Sequence, residues 1–332
     1  MMNRVTILGA GGMGTALAFL LARTAGSVRL WGRDPARMRA LATTRENERH
    51  LPGVPLPDPV MPTADAGEAL SEADLIVVAI PTAFLRTTLK GISAHVPPGT
   101  PALSVVKGIE HTTFLRPSQI VVETLGPRSV AILSGPSHAE EVVRDLPASV
   151  VVAGEDEGLN KQVQEALNTG RFRVYTNPDA VGVELAGALK NILGVAAGIC
   201  EGLGFGDNAK AALLTRGLVE IARFGESLGA QSATFSGLAG LGDVVTTCYS
   251  PFGRNRSVGL RVGQGERLEA IQASMPNVAE GVYTSRSVHD QALERGVEMP
   301  ITDEVYQILF ENKPPMAALT DLMLRPPKDE LP

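Results

Sequence analysis

Five apolar runs rich in β-branched residues, each closed by glycine or proline, punctuate the first part of the chain. They are VTILG at 5–9, VRLWG at 28–32, LIVVAIP at 75–81, ALSVVKG at 102–108 and VAILSGP at 130–136. Unbroken apolar runs of this length suit strands covered on both faces, as in a parallel sheet. Helical spacing fills intervals such as 15–25 and 36–41, and that alternation is the α/β signature. Two further candidate strands, SVVVAG at 149–154 and RFRVYT at 171–176, flank a polar helix at about 156–168. After Asn177-Pro178, a pair able to cap and start a helix, the chain turns to long alanine-, leucine- and glycine-containing segments. The pattern predicts an α/β parallel-sheet domain over 1–178 and an all-helical domain over 179–332. The tail RPPKDELP from 325 predicts a frayed end, and its internal KDEL reads as coincidence.

The totals agree with two domains, since 332 residues exceed the size at which a single core usually stops growing. Thirty basic against thirty-six acidic residues, a net charge of -6, argue against nucleic acid as the main partner but leave room for a local basic pocket. Two cysteines, Cys200 and Cys248, both in apolar or glycine-rich surroundings, read as buried thiols in a reducing cytoplasm rather than a disulfide framework. The start MMNRVTILGAGGMG has no signal-peptide character. Apolar segments such as Leu75 to Ile80 and Leu189 to Ile199 fall short of the roughly 20 residues of a spanning helix. A soluble protein without membrane insertion is expected, and no metal is implied.

Gly9-Ala10-Gly11-Gly12-Met13-Gly14 fits G-x-G-x-x-G between a predicted strand and a predicted helix. In such a turn Gly9 allows the tight bend, Gly11 lets the backbone approach a pyrophosphate, and Gly14 permits close helix–strand packing. This predicts a Rossmann-type domain binding NAD or NADP. The second strand ends Trp31-Gly32-Arg33-Asp34-Pro35. Asp34 before Pro35 reads as a helix N-cap more readily than as a ribose ligand. Arg33 is placed to meet the 2′-phosphate of NADP, so use of NADPH is expected.

Ligands of open α/β sheets bind beyond the carboxyl ends of the strands. Those ends carry Lys107-Gly108 and Ser134-Gly135-Pro136-Ser137-His138-Ala139. Lys107 is a site lysine or a solvated one. Gly135 and Ser137 offer backbone and hydroxyl hydrogen bonds, while His138 lacks an orienting carboxylate in the sequence. In the second domain, Leu185 to Cys200 (LAGALKNILGVAAGIC) has Lys190 as its single charge. On a helix Lys190 shares a face with Ala186, Gly187, Gly194 and Ala197. Small residues there either let another backbone approach or leave room for a ligand, and a partly buried lysine needs a counter-charge or a shifted pKa. Asn191 is placed to orient a substrate hydroxyl. Asp243, after the glycine-rich GLAGLG, is either the partner of Lys190 or the N-cap of VVTTC. Phe252-Gly253-Arg254-Asn255-Arg256 places arginines and an amide at a candidate helix start, which suits a phosphate or a solvated basic turn.

The ordered set GAGGMGTALA, SVVKGIE, SGPSHAEEV, ELAGALKNILGVAAGI, GLAGLGDVVTTC, GRNRSVG and VAEGV closely resembles bacterial soluble NAD(P)-dependent glycerol-3-phosphate dehydrogenase, from residue 5 to about 310. The resemblance implies a helical domain of the 6-phosphogluconate dehydrogenase-like type and reduction of dihydroxyacetone phosphate to sn-glycerol 3-phosphate for phospholipid synthesis. It casts Lys190 as the proton-transferring residue, with Lys107, Asp243, Asn191 and Thr247 around the reacting oxygen. It also implies substrate contacts from Gly135, Ser137, Gly253, Arg254 and Asn255. Gly12, Met13, Arg33, Lys107, Ala139, Arg254, Val278 and Glu280 are the implied cofactor contacts. A homodimer and feedback by glycerol 3-phosphate are expected on the same basis. Two positions depart from the commoner bacterial pattern: Met13 stands where an aromatic is frequent, and Gly253 where a serine often precedes Arg-Asn.

The residue types suit that chemistry. Reduction of a ketone builds negative charge on the carbonyl oxygen, which a lysine ammonium can neutralise and protonate. In the oxidative direction the same lysine must accept a proton, which needs a pKa brought toward neutrality. Burial and Lys107 would lower it and Asp243 would oppose. Rival readings are another dehydrogenase of this architecture, acting on 6-phosphogluconate or a 3-hydroxy acid, and a silent NADPH-sensing protein that keeps the fold.

Overall fold

The computed structural model describes residues 2–275, 279–327, 329 and 330. Eight strands form one sheet in the order β3-β2-β1-β4-β5-β6-β7-β8. They are β1 Arg4–Leu8, β2 Ser27–Trp31, β3 Val60–Thr63, β4 Leu75–Val78, β5 Ala102–Ser104, β6 Val130–Ser134, β7 Ala148–Ala153 and β8 Phe172–Asn177. From β3 to β6 every pairing is parallel. Helices over Gly12–Leu21, Pro35–Thr44, Thr82–Ile92 and Pro117–Leu125 lie between the strands, and the polar helix spans Glu157–Leu167. Leu8, Ile76, Val77, Val78, Ala102 and Leu103 are buried, as their unbroken apolar runs require.

Three details depart from the sequence reading. Strand β3 carries Pro62 and is half exposed at the sheet edge, so it shows neither an apolar run nor a clean alternation. Strand β7 runs antiparallel to β6, and β8 then runs parallel to β7; the two close the sheet without extending its parallel order. The start of the helical part is capped by Asp179 rather than Asn177, with Asp179 Oδ1 accepting from the Gly182 N–H at 2.8 Å. Asn177 acts one step earlier, accepting from the Asp179 N–H at 2.8 Å.

A 23-residue helix, Ala180–Gly202, is the axis of the second half and is buried over almost its whole length. By length and mean hydropathy (1.5) it is long enough to span a membrane, unlike the shorter segment read from the sequence, but 94% of its apolar window is covered by protein. Helices Asp207–Glu226, Asp243–Tyr249, Arg254–Gly263, Glu280–Arg295 and Pro300–Phe310 pack around it. Strand β6 also touches it, so the axial helix carries its side chains to the carboxyl edge of the sheet. A buried carboxylate, Glu184, ties the two halves: it accepts from Arg116 Nη1 at 2.7 Å and from the Ser118 N–H at 2.8 Å.

Candidate active site

The glycine turn divides its three fingerprint glycines between fold and ligand. Gly9 has φ +117, a region that L side chains rarely adopt, and a Cβ there would lie 2.6 Å from the Ala79 carbonyl oxygen. A Cβ on Gly14 would sit 1.9 Å from the Gly9 oxygen, so both are demanded by packing. A Cβ on Gly11 would meet nothing within 4 Å. Gly11 therefore leaves an open backbone approach at the N-cap of helix Gly12–Leu21, a geometry that could admit a dinucleotide pyrophosphate. Ala139 borders it, 3.4 Å from where a Gly12 Cβ would stand, and Met13 packs at the edge of the sheet core. Asp34 caps helix Pro35–Thr44, accepting from Ala36 and Arg37 N–H groups at 3.0 and 3.2 Å. Arg33 lies over the half-exposed ring of Phe84, 5.3 Å from its centroid.

Lys190 enters from the middle of the axial helix. Its Nζ donates to Asp243 Oδ1 at 2.8 Å and to Thr247 Oγ1. Lys107, three residues beyond β5, donates to the other oxygen, Asp243 Oδ2, at 2.6 Å and to the Gly135 carbonyl at 2.9 Å. One carboxylate thus holds two ammonium groups. Asp243 does not cap its own helix; both oxygens are taken by the lysines. The side chains of Lys190 and Asp243 are 9% and 3% exposed against 22% for Lys107, which makes Lys190 the desolvated cation of the pair. Burial brings the Lys190 ammonium down to a pKa of about 8, with Lys107 acting in the same direction and Asp243 against it. Burial alone would raise the Asp243 carboxyl, but Lys107 and Lys190 outweigh it and hold it below the usual range.

The small residues around Lys190 serve close approach. A Cβ on Gly187 would come 2.6 Å from Ser134 Oγ, and one on Gly194 would come 2.4 Å from Thr247 Cγ2. Further along, Cβ atoms on Gly198 and Gly259 would meet the Arg256 and Val195 carbonyl oxygens at 2.1 and 2.0 Å. Glycines on both helices let Arg254–Gly263 lie backbone-to-backbone on the axial helix, bringing its N-terminus, capped by Gly253, toward Lys190. Arg256 turns away to Glu201, while Arg254 and Asn255 stand in the first turn at that N-terminus. An amide relay binds these parts: Asn191 Nδ2 donates to the Lys107 carbonyl at 2.9 Å, Asn255 Nδ2 to Asn191 Oδ1 at 2.8 Å, and the Gly281 N–H to Asn255 Oδ1 at 2.9 Å.

Comparison with known proteins assigns the chain to a family. Residues 4–160 match the family described as NAD-dependent glycerol-3-phosphate dehydrogenase N-terminus, and residues 179–320 the one described as its C-terminus. The chain belongs to the NAD-dependent glycerol-3-phosphate dehydrogenase family. It is 48% identical over 330 residues to glycerol-3-phosphate dehydrogenase [NAD(P)+] of Chlorobium limicola, covering 98% of this chain and 99% of that protein. The enzyme of the same name from Desulfitobacterium hafniense is 44% identical over 330 residues, with 99% and 94% covered. A crystal structure of glycerol-3-phosphate dehydrogenase from Coxiella burnetii superposes with a TM-score of 0.93 at 37% identity, over 98% of this chain and 99% of that one. The D-mandelate dehydrogenase ternary structure, at 15% identity and TM-score 0.63, shares the fold alone.

Within this glycerol-3-phosphate dehydrogenase fold, the residues expected around the reacting oxygen do converge: Lys190, Lys107, Asp243, Asn191 and Thr247 form one hydrogen-bonded group. Ser137 Oγ donates to the Gly135 carbonyl at 3.0 Å, beside Lys107. Glu280 accepts from the Thr82 N–H at 3.0 Å, and burial raises its carboxyl pKa against that bond and the charge of Arg254. It stands beside Gly108, where a Cβ would come 2.8 Å from Glu280 Oε2. Val278 lies outside the described residues.

The sequence reading passed over the segment 45–51. Asn47 Nδ2 donates to the Ala10 carbonyl at 3.2 Å and to Thr15 Oγ1 at 2.8 Å, which pins this segment to the glycine turn. Burial, then Arg37, Arg49 and Arg254, press the His50 pKa down to about 4. Three arginine side chains gathered around a neutral imidazole, on a segment pinned to the glycine turn, suit an anionic ligand. The run RENERH carried the signal as composition, but nothing in it showed that Arg254 would face it.

Proposed function

We propose that this protein reduces dihydroxyacetone phosphate to sn-glycerol 3-phosphate, reversibly, with NADPH or NADH. The observation that carries the reading is the double grip of Lys190 and Lys107 on Asp243, next to the Arg254–Asn255 helix start. The glycine cradle at Gly11, bordered by Gly12, Met13 and Ala139, would hold the dinucleotide, with Arg33 placed for a 2′-phosphate and Glu280 and Arg254 at its inner end. When bound, the reduced nicotinamide supplies hydride to C2 of the ketone. Lys190 neutralises the charge growing on the carbonyl oxygen and gives it a proton from Nζ. Thr247 and Asp243 hold that Nζ, and Lys107 keeps Asp243 charged. The helix start at Gly253, with Arg254 and Asn255, takes the phosphate. Gly253 contributes no hydroxyl there, so backbone N–H groups and the arginine fork carry that contact.

Burial of Lys190 serves the reverse reaction, since a pKa near 8 lets the neutral amine accept a proton under mildly basic conditions. We place the domain boundary near residue 178, between β8 and the axial helix. A cytoplasmic homodimer supplying glycerophospholipid synthesis belongs to the same proposal, supported by the likeness to bacterial relatives and by two free cysteines. The test is oxidation of NADPH on adding dihydroxyacetone phosphate, run beside a panel of keto acids. Turnover of a keto acid in preference to dihydroxyacetone phosphate would overturn the reading.

A further inference from the structure

Dihydroxyacetone phosphate has three functional parts: a phosphate, a ketone and a free C1 hydroxyl. The proposed function places the first at Arg254–Asn255 and the second at Lys190, and it leaves the hydroxyl without a partner. The side chains ringing the lysines are mostly committed. Asp243 and Thr247 bind Lys190, Asn191 and Asn255 bind one another and the backbone, and Ser137 donates to Gly135.

His138 differs from all of these. Its Nε2 is buried and has no hydrogen-bond partner among the described residues. Ser134 Oγ and Thr82 Oγ1 share that state, but each is pressed against backbone: Cβ atoms at Gly187 and Gly108 would approach them within 2.6 and 2.4 Å. The His138 ring instead lies edge-on to Phe252, with centroids 5.8 Å apart, in front of Gly253-Arg254. Its chain neighbours are Ser137, beside Gly135 and Lys107, and Ala139, at the rim of the dinucleotide cradle. The imidazole therefore sits on a segment that borders Lys107 and the cradle, within the field of both lysines, and packs on the residue that precedes Gly253-Arg254.

We propose that His138 is a specificity-determining residue whose Nε2 hydrogen-bonds the C1 hydroxyl of dihydroxyacetone phosphate. The inference rests on the proposed function. The electrostatics agree with a neutral ring: burial, then Lys190 and Lys107, lower its pKa, against weaker opposition from Glu140 and Glu141. A neutral imidazole can donate to or accept from a hydroxyl, while a third cation beside the two lysines would be repelled. A site built around such a bond rejects an analogue that lacks the hydroxyl, because the buried polar atom then stays unpaired.

The discriminating substrate is acetol phosphate, which carries a methyl group in place of the hydroxymethyl. Steady-state kcat/KM with NADPH is measured for both compounds in the wild type, His138→Phe and His138→Gln, with NADPH binding followed by fluorescence. The wild type should prefer dihydroxyacetone phosphate. His138→Phe keeps a ring against Phe252 and should lower kcat/KM for dihydroxyacetone phosphate about tenfold or more while leaving acetol phosphate unchanged. His138→Gln places an amide near the Nε2 position and should retain most of the preference. Equal losses for both substrates in His138→Phe, or no loss for either, overturn the assignment. If His138→Phe does not fold, the wild type still decides, since indifference between the two substrates also overturns it. Failure of the wild type to reduce dihydroxyacetone phosphate at all refutes the proposed function instead.

Discussion

Lys190 Nζ lies 2.8 Å from Asp243 Oδ1, although 53 residues separate the two in the chain and each is buried. An isolated ammonium at that depth would shed its proton, and an isolated carboxylate would keep one. Their pairing, with Lys107 on the second oxygen, leaves Asp243 charged and Lys190 poised near pH 8. That poise governs what the site should do when either partner is altered.

Lys190→Met removes the ammonium proposed to protonate the ketone oxygen and should lower kcat by a factor on the order of 10³ or more. NADPH binding, followed by fluorescence, should remain close to wild type because the cradle lies on the other domain. A variant that keeps substantial kcat would falsify the role given to Lys190.

Asp243→Asn takes away the charge that raises the Lys190 pKa. The lysine should then deprotonate at lower pH. Reduction of the ketone, which needs the ammonium, should fall off at a lower pH than in the wild type, and the rising limb of glycerol 3-phosphate oxidation should move to lower pH as well. Coincident pH–rate profiles of variant and wild type would show that Asp243 does not set the lysine.

Arg33→Ala should reduce kcat/KM for NADPH and leave that for NADH close to wild type, since only NADPH carries a 2′-phosphate. Parallel losses with the two cofactors would assign Arg33 to a shared part of the dinucleotide.

Gly198→Ala forces a methyl group to within 2.1 Å of the Arg256 carbonyl oxygen. Overpacking of this kind costs about 1–3 kcal/mol. Because the displaced helix carries Arg254 and Asn255, KM for dihydroxyacetone phosphate should rise together with the loss in Tm. A lower Tm at constant KM would separate the helix contact from the phosphate site.

Glu220 is buried at the start of helix Pro300–Phe310, accepting from the Ile301 and Thr302 N–H groups at 2.9 and 2.8 Å. Burial nonetheless lifts its pKa from 4.5 to about 7. The folded state therefore holds a proton that the unfolded chain has released, so this contribution is full below about pH 4.5 and is lost as pH rises through about 7. Tm should decline over that window in the wild type and decline less in Glu220→Gln, as calorimetry across the range would show.

Much of this was legible in the chain itself, for reasons of period and exclusion. Long apolar runs closed by glycine or proline mark strands covered on both faces, and they stand in the sheet as β1, β2, β4, β5 and β6. Glycines at 9, 11 and 14 between a strand and a helix mark a dinucleotide turn. Lys190 declared itself as the single charge in the stretch Leu185 to Cys200, and Asp34-Pro35 as a cap. These features are local, and the sequence determined them. Only the tertiary structure chose between the two readings of Asp243, because partner and N-cap demand the same residue type and differ in what lies across space. It also chose close backbone packing for Gly187 and Gly194, raised Arg49 and His50 beside Arg254, and turned β7 against β6. Each of these is a relation between segments far apart in the chain, fixed by burial and shape when the helices close on the sheet.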